Sequence, residues 1–389
     1  MPWQERTFMS LKCEFIVLHE AQARSFSALC LKFGISRITG YKWLRRYESE
    51  GRNGLIDKRT LRPERKKVFT PESWERVFAF RRENPTWGSR KITKALALLE
   101  PERIWPSASL TKRQFRLLGL SHPREVRSPI VSERLPLRKV NDINEIWGID
   151  FKGWFTTKEK KRCEPLTLQD LHSRYLLRCE PMASTTSLSV IQLLEKAFHE
   201  YGMPKAIRSD NGSPFGSHGF RGLNPLSIWL LKQGIWPEKI YPGKPQQNGR
   251  LERLHRTLKE DVLMGPRKTY AEYQNLLAEF TWKYNNIRPH EALGDLPPCK
   301  VYERSLREYR PDTPLEYEYP AGYQLLHVNS NGYVSYKGQR IYLSESLQQE
   351  NIGIGKEEPN GHPILFLGYP LGYLEQHQNR TKNKKVLPL

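Results

Sequence analysis

The sequence lacks both a long hydrophobic run and a secretion signal. Its apolar stretches, such as Leu226–Leu231, are far too short to cross a bilayer. The first residues, Met1–Arg6, have none of the apolar character that a signal peptide needs. These absences argue against an integral membrane protein and a secreted one, so we expect a cytoplasmic protein without a membrane partner.

The sequence also lacks paired cysteines. No two of its five cysteines stand in CxxC spacing, so neither a zinc site nor a disulfide framework is indicated. We expect ordinary buried thiols at Cys13, Cys30, Cys163, Cys179 and Cys299.

Negative charge is scarce relative to positive charge. Lysine and arginine number 63 against 42 aspartates and glutamates, which gives a formal net charge of +21. Such an excess attracts a polyanion, and nucleic acid is favoured over an anionic membrane because no amphipathic anchor accompanies the charge. With 389 residues the chain is too long for one ordinary core, so we expect roughly two to four domains.

Residues 1–57 have the pattern of a helix-turn-helix. Ser25 or Ser27 can cap a short helix that ends at Gly34, and Ser36 can cap the next helix. The exposed side of that second helix carries residues that can reach phosphates and base edges in a major groove. The predicted DNA-contacting residues here are Arg37, Thr39, Lys42, Arg45 and Arg46. The alternative, from this segment alone, is a helical hairpin that packs on another element.

A second helical unit follows a basic linker. We place the linker at residues 58–69 and the unit at residues 70–122, where Thr70-Pro71 is a favoured helix start. The unit again has helix-turn-helix proportions, and two such modules in tandem read a longer DNA site than either does alone. The predicted DNA-contacting residues of its last helix are Lys112, Arg113 and Arg116. Residues 123–142 are basic and contain prolines, as in a linker.

From residue 143 to residue 306 the pattern changes to alternating strands and helices. Trp147, Ile149 and Phe151 alternate with polar residues or glycine, as in a strand, and two further short strands follow. Helical and extended segments then alternate up to the loop and helix of Tyr241–Val262. Three strands followed by alternating helices and strands predict a mixed sheet of α/β type.

Three carboxylates stand in or at the ends of these predicted elements. Asp150 lies in a strand, Asp210 follows another strand and Glu252 lies early in a helix. Carboxylates at element ends can converge on one edge of a sheet, where their mutual repulsion requires a cation. Two Mg²⁺ ions meet that requirement, because hard oxygen ligands suit Mg²⁺ and two ions roughly 4 Å apart can clamp a phosphoryl displacement. Taken singly, the three residues also fit a strand-edge charge, a plain turn and a solvated helix face.

Beyond residue 306 the pattern is one of short strands separated by Asn-Gly and Lys-Gly turns. We expect residues 307–375 to form a small β-barrel of SH3-like type, and residues 376–389 to be a disordered basic tail. The barrel either holds DNA or another protomer, or it is a passive cap.

Several stretches of the sequence resemble one known family. WGIDFKGWF, DLHSRYLL, SDNGSPFGS, GKPQQNGRLERLHRTLKED and WKYNNIRPHEAL are similar to segments of the DDE transposases of bacterial insertion sequences, the branch related to retroviral integrases. ISRITGYKWLRRYESEGRNGL and NPTWGSRKI also resemble that group's N-terminal helix-turn-helix region, so the likeness covers almost the whole chain. The resemblance implies a catalytic core of ribonuclease-H-like fold.

The resemblance also implies a function. It implies a DNA transposase that binds terminal inverted repeats of a mobile element, frees 3′-hydroxyl ends by metal-dependent hydrolysis and joins them to target DNA by transesterification. Asp150, Asp210 and Glu252 match the family's metal-binding catalytic triad, which implies two Mg²⁺ ions, with Mn²⁺ as the alternative. The DNA contacts expected beside this triad are Asn248, Arg256 and Lys259.

Two alternatives stay open: a ribonuclease-H-like nuclease that cuts without joining, and a DNA-binding regulator without catalysis. We also expect a homo-oligomer on DNA, a dimer or a tetramer, located at the nucleoid. The chain has no His/His/Cys/Cys zinc module of the integrase kind, which fits the helix-turn-helix in its place. Leu171 stands where such sequences often carry a small or acidic residue, and we expect His290 to make a structural hydrogen bond rather than to act in catalysis.

Overall fold

The computed structural model describes residues 8–56, 69–121, 137–216, 223–241, 245–311, 313, 315–374 and 386–387. The chain divides into two compact units, Met1–Thr70 and Pro71–Leu389. Almost all of the predicted linker 58–69, and most of the linker 123–142 and of the tail 376–389, lie outside the described residues. Within the described residues, no helix is both long enough and apolar enough to cross a membrane.

The first unit is a small three-helix domain. Its helices are α1 (Phe8–Glu20), α2 (Phe26–Lys32) and α3 (Arg37–Glu50). Ser25 caps α2 and Ser36 caps α3, each by accepting a hydrogen bond from a backbone amide three residues on. A Cβ on Gly40 would lie 2.9 Å from Cys30 Sγ, so glycine is what lets α3 pack this closely on α2. The predicted helix-turn-helix is confirmed.

A second helical module begins the other unit. Its helices are α4 (Pro71–Glu83), α5 (Ser89–Leu99) and α6 (Ala108–Leu117). Trp87 lies in the core of this module, where its ring packs edge-to-face on Phe80 with centroids 6.0 Å apart. Leu99 and Leu118 are 47% and 56% exposed, because both stand at helix ends beyond the packed core.

A six-stranded mixed sheet forms the centre of the second unit. Its strands are β1 (Ile146–Phe151), β2 (Phe155–Thr156), β3 (Arg162–Asp170), β4 (Leu176–Met182), β5 (Ala206–Ser209) and β6 (Trp236–Lys239). β3 pairs antiparallel with β1, β2 and β4, whereas β1 pairs parallel with β5, and β5 with β6. β3 has nine residues and is longer than the short strand that the sequence predicts. The mixed sheet itself is as predicted.

Helices cover both faces of this sheet. They are α7 (Ser187–Tyr201), α8 (Pro225–Lys232), α9 (Gly249–Leu258) and α10 (Tyr270–Asn286), and α9 continues into a π-helical turn at Lys259–Leu263. One core joins α7 and α8 to β1, β3 and β5, and a second joins α9 and α10 to β4. Leu251, Leu254 and Leu258 are all buried in the second core, so the apolar stripe predicted for α9 is confirmed. With helices on both faces of a mixed sheet, this domain has the α/β architecture that the sequence predicts.

The C-terminal part consists of short strands around one hydrophobic core. They are β7 (Gln324–His327), β8 (Tyr333–Tyr336), β9 (Gln339–Tyr342), β10 (Asn351–Ile354), β11 (His362–Phe366), β12 (Tyr369–Leu374) and β13 (Val386–Leu387). Five of them form a sheet in the order β13-β12-β11-β10-β7, while β8 and β9 form a separate hairpin. These two sheets do not close on each other in the part of the chain that the structure describes, so the predicted barrel is not confirmed.

Candidate active site

Parallel pairing brings the first two carboxylates to the same edge of the sheet. Gly148 in β1 stands opposite Arg208 in β5. Asp150 and Asp210 each lie two residues further along, at the same end of adjacent strands. The Asp150 side chain is only 18% exposed, so this end of the sheet is partly closed to water.

Helix α9 brings the third carboxylate to this edge. Asn248 Nδ2 donates to Asp150 Oδ2 at 3.1 Å, and His255 Nδ1 lies 3.7 Å from the same oxygen. Glu252 is four residues after Asn248 and three before His255, a spacing that places all three on one side of a helix. Glu252 therefore lies between two side chains that contact Asp150.

His255 is buried, and its two ring nitrogens face different groups. The Thr167 hydroxyl donates its single proton to the Asp150 carbonyl oxygen at 3.1 Å, so toward the imidazole it acts as an acceptor. His255 Nε2 lies 2.8 Å from that hydroxyl and is the donor. Burial, aided by the charge of Lys152, lowers the pKa of His255 to about 4. The imidazole is neutral at pH 7, and Nδ1 presents a lone pair to Asp150 instead of forming an ion pair.

The pKa of Asp150 is raised to about 7. Burial is the largest cause, the charge of Asp210 is the next cause that raises it, and the charge of Glu252 adds to both. The Phe151 amide and the Lys152 ammonium oppose the rise. Asp210 and Glu252 therefore lie near enough to Asp150 for their charges to act on this carboxyl.

Backbone and amide groups hold the loop that carries Asp210. The Gly212 amide donates to Asp210 Oδ1 at 3.1 Å, and a Cβ at this glycine would lie 3.0 Å from the other carboxylate oxygen. Asn211 Nδ2 donates to the Ile240 carbonyl at 2.6 Å, which ties this loop to the end of β6. Gly249, in contrast, has open space where a Cβ would be, so crowding does not require glycine there.

Family models match both the core and the helical modules. Two models described as an integrase core domain match residues 141–245 and 233–298. Two models described as a homeodomain-like domain match residues 8–56 and 39–113. The chain therefore carries an integrase core and homeodomain-like segments, the combination that the insertion-sequence resemblance implies. The sequence resemblance to this group is therefore confirmed.

Relatives of this integrase-core protein occur in bacterial insertion elements. An uncharacterized 39.2 kDa protein of insertion element IS476 from Xanthomonas euvesicatoria is 30% identical over 52% of this chain, and the chain spans 57% of that protein. An uncharacterized 31.7 kDa protein of IS407 from Burkholderia multivorans is 28% identical over 58% of this chain and 78% of its own length. Among solved structures, the HTLV-2 integrase catalytic core domain in complex with magnesium is 19% identical, covers 42% of this chain and 98% of its own, and has a TM-score of 0.30.

The donor set of the integrase core fits a hard divalent cation. Asp150, Asp210 and Glu252 offer only carboxylate oxygens. Burial first, and then the charges of Asp210 and Glu252, raise the pKa of Asp150, and a cation would offset both effects. Among the described residues, no group of three or more His, Cys, Asp or Glu side chains stands in a metal-binding arrangement. The chemistry of the three carboxylates thus suits Mg²⁺, while a ligand shell remains a prediction.

Most of the predicted DNA-contacting residues of the helical modules lie on exposed helix surface. Thr39 differs, because it is half-buried and its hydroxyl lies 2.9 Å from Ser36 Oγ, and Arg46 is also half-buried. The exposed members of the set are Arg37, Lys42 and Arg45 on α3, and Lys112, Arg113 and Arg116 on α6. Their contacts to DNA stay predictions.

The predicted DNA contacts of the integrase core fall into two groups. Arg256 and Lys259 are exposed on the same ridge as Glu252. Asn248 is buried, and its amide donates to Asp150 rather than facing a nucleotide. The Asn248 amide therefore has a hydrogen-bond partner within the protein, which the sequence does not predict.

The segment Tyr284–His290 joins the second helical module to the integrase core. The Arg288 guanidinium lies 5.5 Å from the centroid of the Trp87 ring and 3.4 Å from Asp261. His290 is buried and its pKa is lowered to about 3, chiefly by burial. Its Nε2 has no hydrogen-bond partner among the described residues, so the structural hydrogen bond predicted for this side chain is not found at that atom.

Sequence reasoning missed His255 and Thr167. A histidine at a buried position of an amphipathic helix carries no signal of its own, and its partner lies 88 residues away in β3. The only available sign was spacing, because His255 follows Glu252 by three residues and therefore shares its side of the helix.

His255 is expected to titrate near pH 4. An ordinary histidine protonates near pH 6.5, but burial opposes the charged form here. NMR of ¹⁵N-labelled, metal-free protein should find the neutral form with its proton on Nε2 between about pH 8 and pH 5. His19, whose ring is in the separate helix-turn-helix unit, serves as the internal comparison. A midpoint for His255 at or above the ordinary value would contradict both the burial and the tautomer.

Proposed function

We propose that the protein is a DNA transposase that binds terminal inverted repeats, frees 3′-hydroxyl ends by hydrolysis and joins them to target DNA by transesterification. The observation that carries the proposal is geometric: Asp150 and Asp210 stand at the same end of adjacent strands of an integrase core, and helix α9, which carries Glu252, packs against Asp150 through Asn248 and His255. The two homeodomain-like matches and the net charge of +21 support DNA as the substrate. The insertion-element relatives support a mobile element as the source of that DNA.

Asp150, Asp210 and Glu252 would hold the metal, as two Mg²⁺ ions with Mn²⁺ as the substitute. Metal bound there would lower the pKa of the attacking oxygen and neutralise charge on the departing one. The chain prepares the position through the contacts that orient two of these carboxylates. Asn248 holds one oxygen of Asp150, and the Gly212 amide holds one oxygen of Asp210. Each carboxylate is thereby restrained before the DNA arrives.

Basic side chains next to Glu252 would hold the DNA backbone. Arg256 and Lys259 follow Glu252 by four and seven residues, so they share its ridge on the helix, and both are exposed. A guanidinium and an ammonium at these positions can donate to phosphate oxygens on either side of the scissile bond. The exposed residues of α3 and α6 would read the element end.

The remaining parts of the proposal concern assembly. A reaction that joins two element ends needs two active sites, so we infer a dimer or a tetramer on DNA, acting in the cytoplasm at the nucleoid. The C-terminal strands pack around one hydrophobic core, to which Ile228 and Leu231 of α8 also contribute, and we infer an SH3-like fold for these strands. That module would contact DNA or a second protomer.

The full protein is expected to join precut element ends to a supercoiled plasmid. The assay supplies oligonucleotide duplexes that already carry a recessed 3′-hydroxyl, so joining is measured apart from hydrolysis. Joined product should form with Mg²⁺ or Mn²⁺ and should be absent with a chelator. Cleavage of uncut ends without joining would favour the nuclease alternative, and binding without either reaction would favour the regulator.

A further inference from the structure

Three arginines lie in the first turns of helix α9 and in the strand turn that packs against them. Arg174 lies in the turn between β3 and β4, whereas Arg250 and Arg253 lie in the first turns of α9. Arg250 Nη1 donates to the Leu171 carbonyl at 2.6 Å, which fixes α9 against this turn. Leu171 itself is buried and packs on Ile146, so the turn has a rigid base.

The turn that carries Arg174 is itself well held. Arg174 has a left-handed backbone with φ of 64°, and its amide donates to the Asp170 carbonyl. The carbonyl of Arg174 accepts a hydrogen bond from Gln169 Nε2 at 2.9 Å. The backbone position of Arg174 is therefore fixed by these hydrogen bonds. The bond from Arg250 to the Leu171 carbonyl brings the start of α9 against the turn that carries Arg174. Burial is the main cause that lowers the pKa of Arg174 and that of Arg250, and the charge of Arg253 on the first and of Arg174 on the second lowers each further.

In the described part of the chain, none of the three guanidiniums forms an ion pair, and Asp170 is the acidic residue whose charge acts on Arg174 and Arg250. The Asp170 carboxylate is fully buried. Its oxygens already accept from the Ser173 amide and hydroxyl and from the Asn144 amide. Arg208, which adds its own charge nearby, is paired with Glu238 at 2.6 Å.

An unpaired cluster of like charges costs folding stability unless an anion offsets it. The geometry of the helix indicates which anion would fit. At about 100° per residue, Arg253 lies between Arg250 and Arg256 around α9, so the cluster continues the basic surface that runs past Glu252. A polyanion lying along α9 would contact the cluster and the carboxylate edge at the same time.

We propose that Arg174, Arg250 and Arg253 form a binding site for the phosphate groups of a DNA backbone. This inference rests on the proposed function, because it extends the DNA path from the active site round α9 to the β3–β4 turn. The ligand chemistry is a run of phosphodiesters, and its source is either the element end or the target duplex. The site is distinct from the predicted contacts of α3 and α6, since it lies on the integrase core.

The test measures how strongly DNA binding depends on salt. In the full chain, the double variant Arg174→Gln/Arg253→Gln leaves the Arg250 hydrogen bond in place. Each lost phosphate contact should reduce the slope of log binding constant against log salt by about 1, so we expect the slope to fall by about 2. The measurement is repeated with an element-end duplex and with an unrelated duplex. A fall with the first alone assigns the site to the element end, and a fall with both assigns it to duplex DNA in general.

Two control variants separate a binding site from a loss of charge or of folding. Arg304→Gln/Arg310→Gln removes two exposed arginines elsewhere in the same unit and should leave the slope unchanged. Arg174→Lys/Arg253→Lys keeps both charges and should also keep the slope. The melting temperature of the glutamine variant should not fall, because two repelling charges are removed.

The outcomes distinguish this site from the function on which it rests. If the native protein binds neither duplex, the proposed function fails. If the native protein binds and joins element ends but the glutamine variant keeps the native slope with both duplexes, the arginine site is wrong and the transposase proposal stands.

Discussion

Asp210→Asn is expected to lower strand cleavage and joining by on the order of 10³-fold or more, the loss of roughly 4 kcal/mol of transition-state stabilisation. Asparagine keeps the shape of the side chain, and its oxygen can still accept from the Gly212 amide. It removes the negative charge that would hold a divalent cation. Binding of element ends should stay close to that of the native protein, because the helix-turn-helix modules are untouched.

The measurement pairs two assays on the same preparation. Cleavage and joining of labelled element ends report the chemistry, and a gel-shift titration reports binding. Asp142→Asn is a matched control, because it neutralises an exposed carboxylate of the same core that accepts a hydrogen bond from the neighbouring Ile143 amide. Native-like joining by the Asp210 variant would refute the proposed triad.

Asp150→Asn is expected to stabilise the metal-free protein at neutral pH while it abolishes activity. The folded pKa of Asp150 is about 7, above the ordinary 3.8, so the folded state binds its proton more tightly than the unfolded state does. This carboxyl therefore favours folding most at low pH, and that contribution is lost as pH rises from about 4 through 7. At pH 8 the native carboxylate is ionised at a cost of about 4 kcal/mol at most, which asparagine does not incur.

Urea unfolding in the presence of a chelator measures this difference. The variant should be the more stable protein at pH 8, by a margin that shrinks as pH falls and disappears near pH 4. Addition of Mg²⁺ should stabilise the native protein and leave the variant nearly unchanged. An Asp150 variant that is less stable than the native protein at pH 8 would show that desolvation and repulsion are not the dominant effects at this site.

Much of the local structure follows directly from residue patterns. The serine cap at Ser36 and the leucine stripe of α9 are short-range signals, and the structure has both. Alternation of apolar side chains with polar residues or glycine predicts the strand at Trp147 and implies that only one side of it is buried. In the structure, Ile146 and Gly148 are buried in addition to Trp147 and Ile149. Helices cover both faces of this central strand, so polarity at alternate positions marks the functional end at Asp150 rather than a solvent face.

Contacts between distant segments were beyond the reach of sequence patterns. The hydrogen bond from His255 to Thr167 joins α9 to β3, and the bond from Arg250 to Leu171 joins α9 to a turn. Sequence spacing predicts neither Thr167 nor Leu171 as a hydrogen-bond partner of α9. The C-terminal strands also show this limit. Turn residues in the sequence predict where the short strands begin and end, but the pairing of β7 with β10 depends on tertiary packing.

The parallel pairing of β1 with β5 has a consequence for how this chain can vary. Between these two strands the chain first adds β2, β3 and β4 to the sheet, and the segment that contains α7 then crosses over to β5. The length of this crossover does not determine which residues of β1 and β5 face each other. Insertions in those connections would leave Asp150 beside Asp210, but the loss of one residue within β1 would turn Asp150 to the opposite face of the sheet. The fold thus tolerates changes in the length of the crossover but not changes in the register of β1 against β5. Relatives can be expected to differ freely in the number of residues that separate their aspartates, and engineered insertions belong in the crossover.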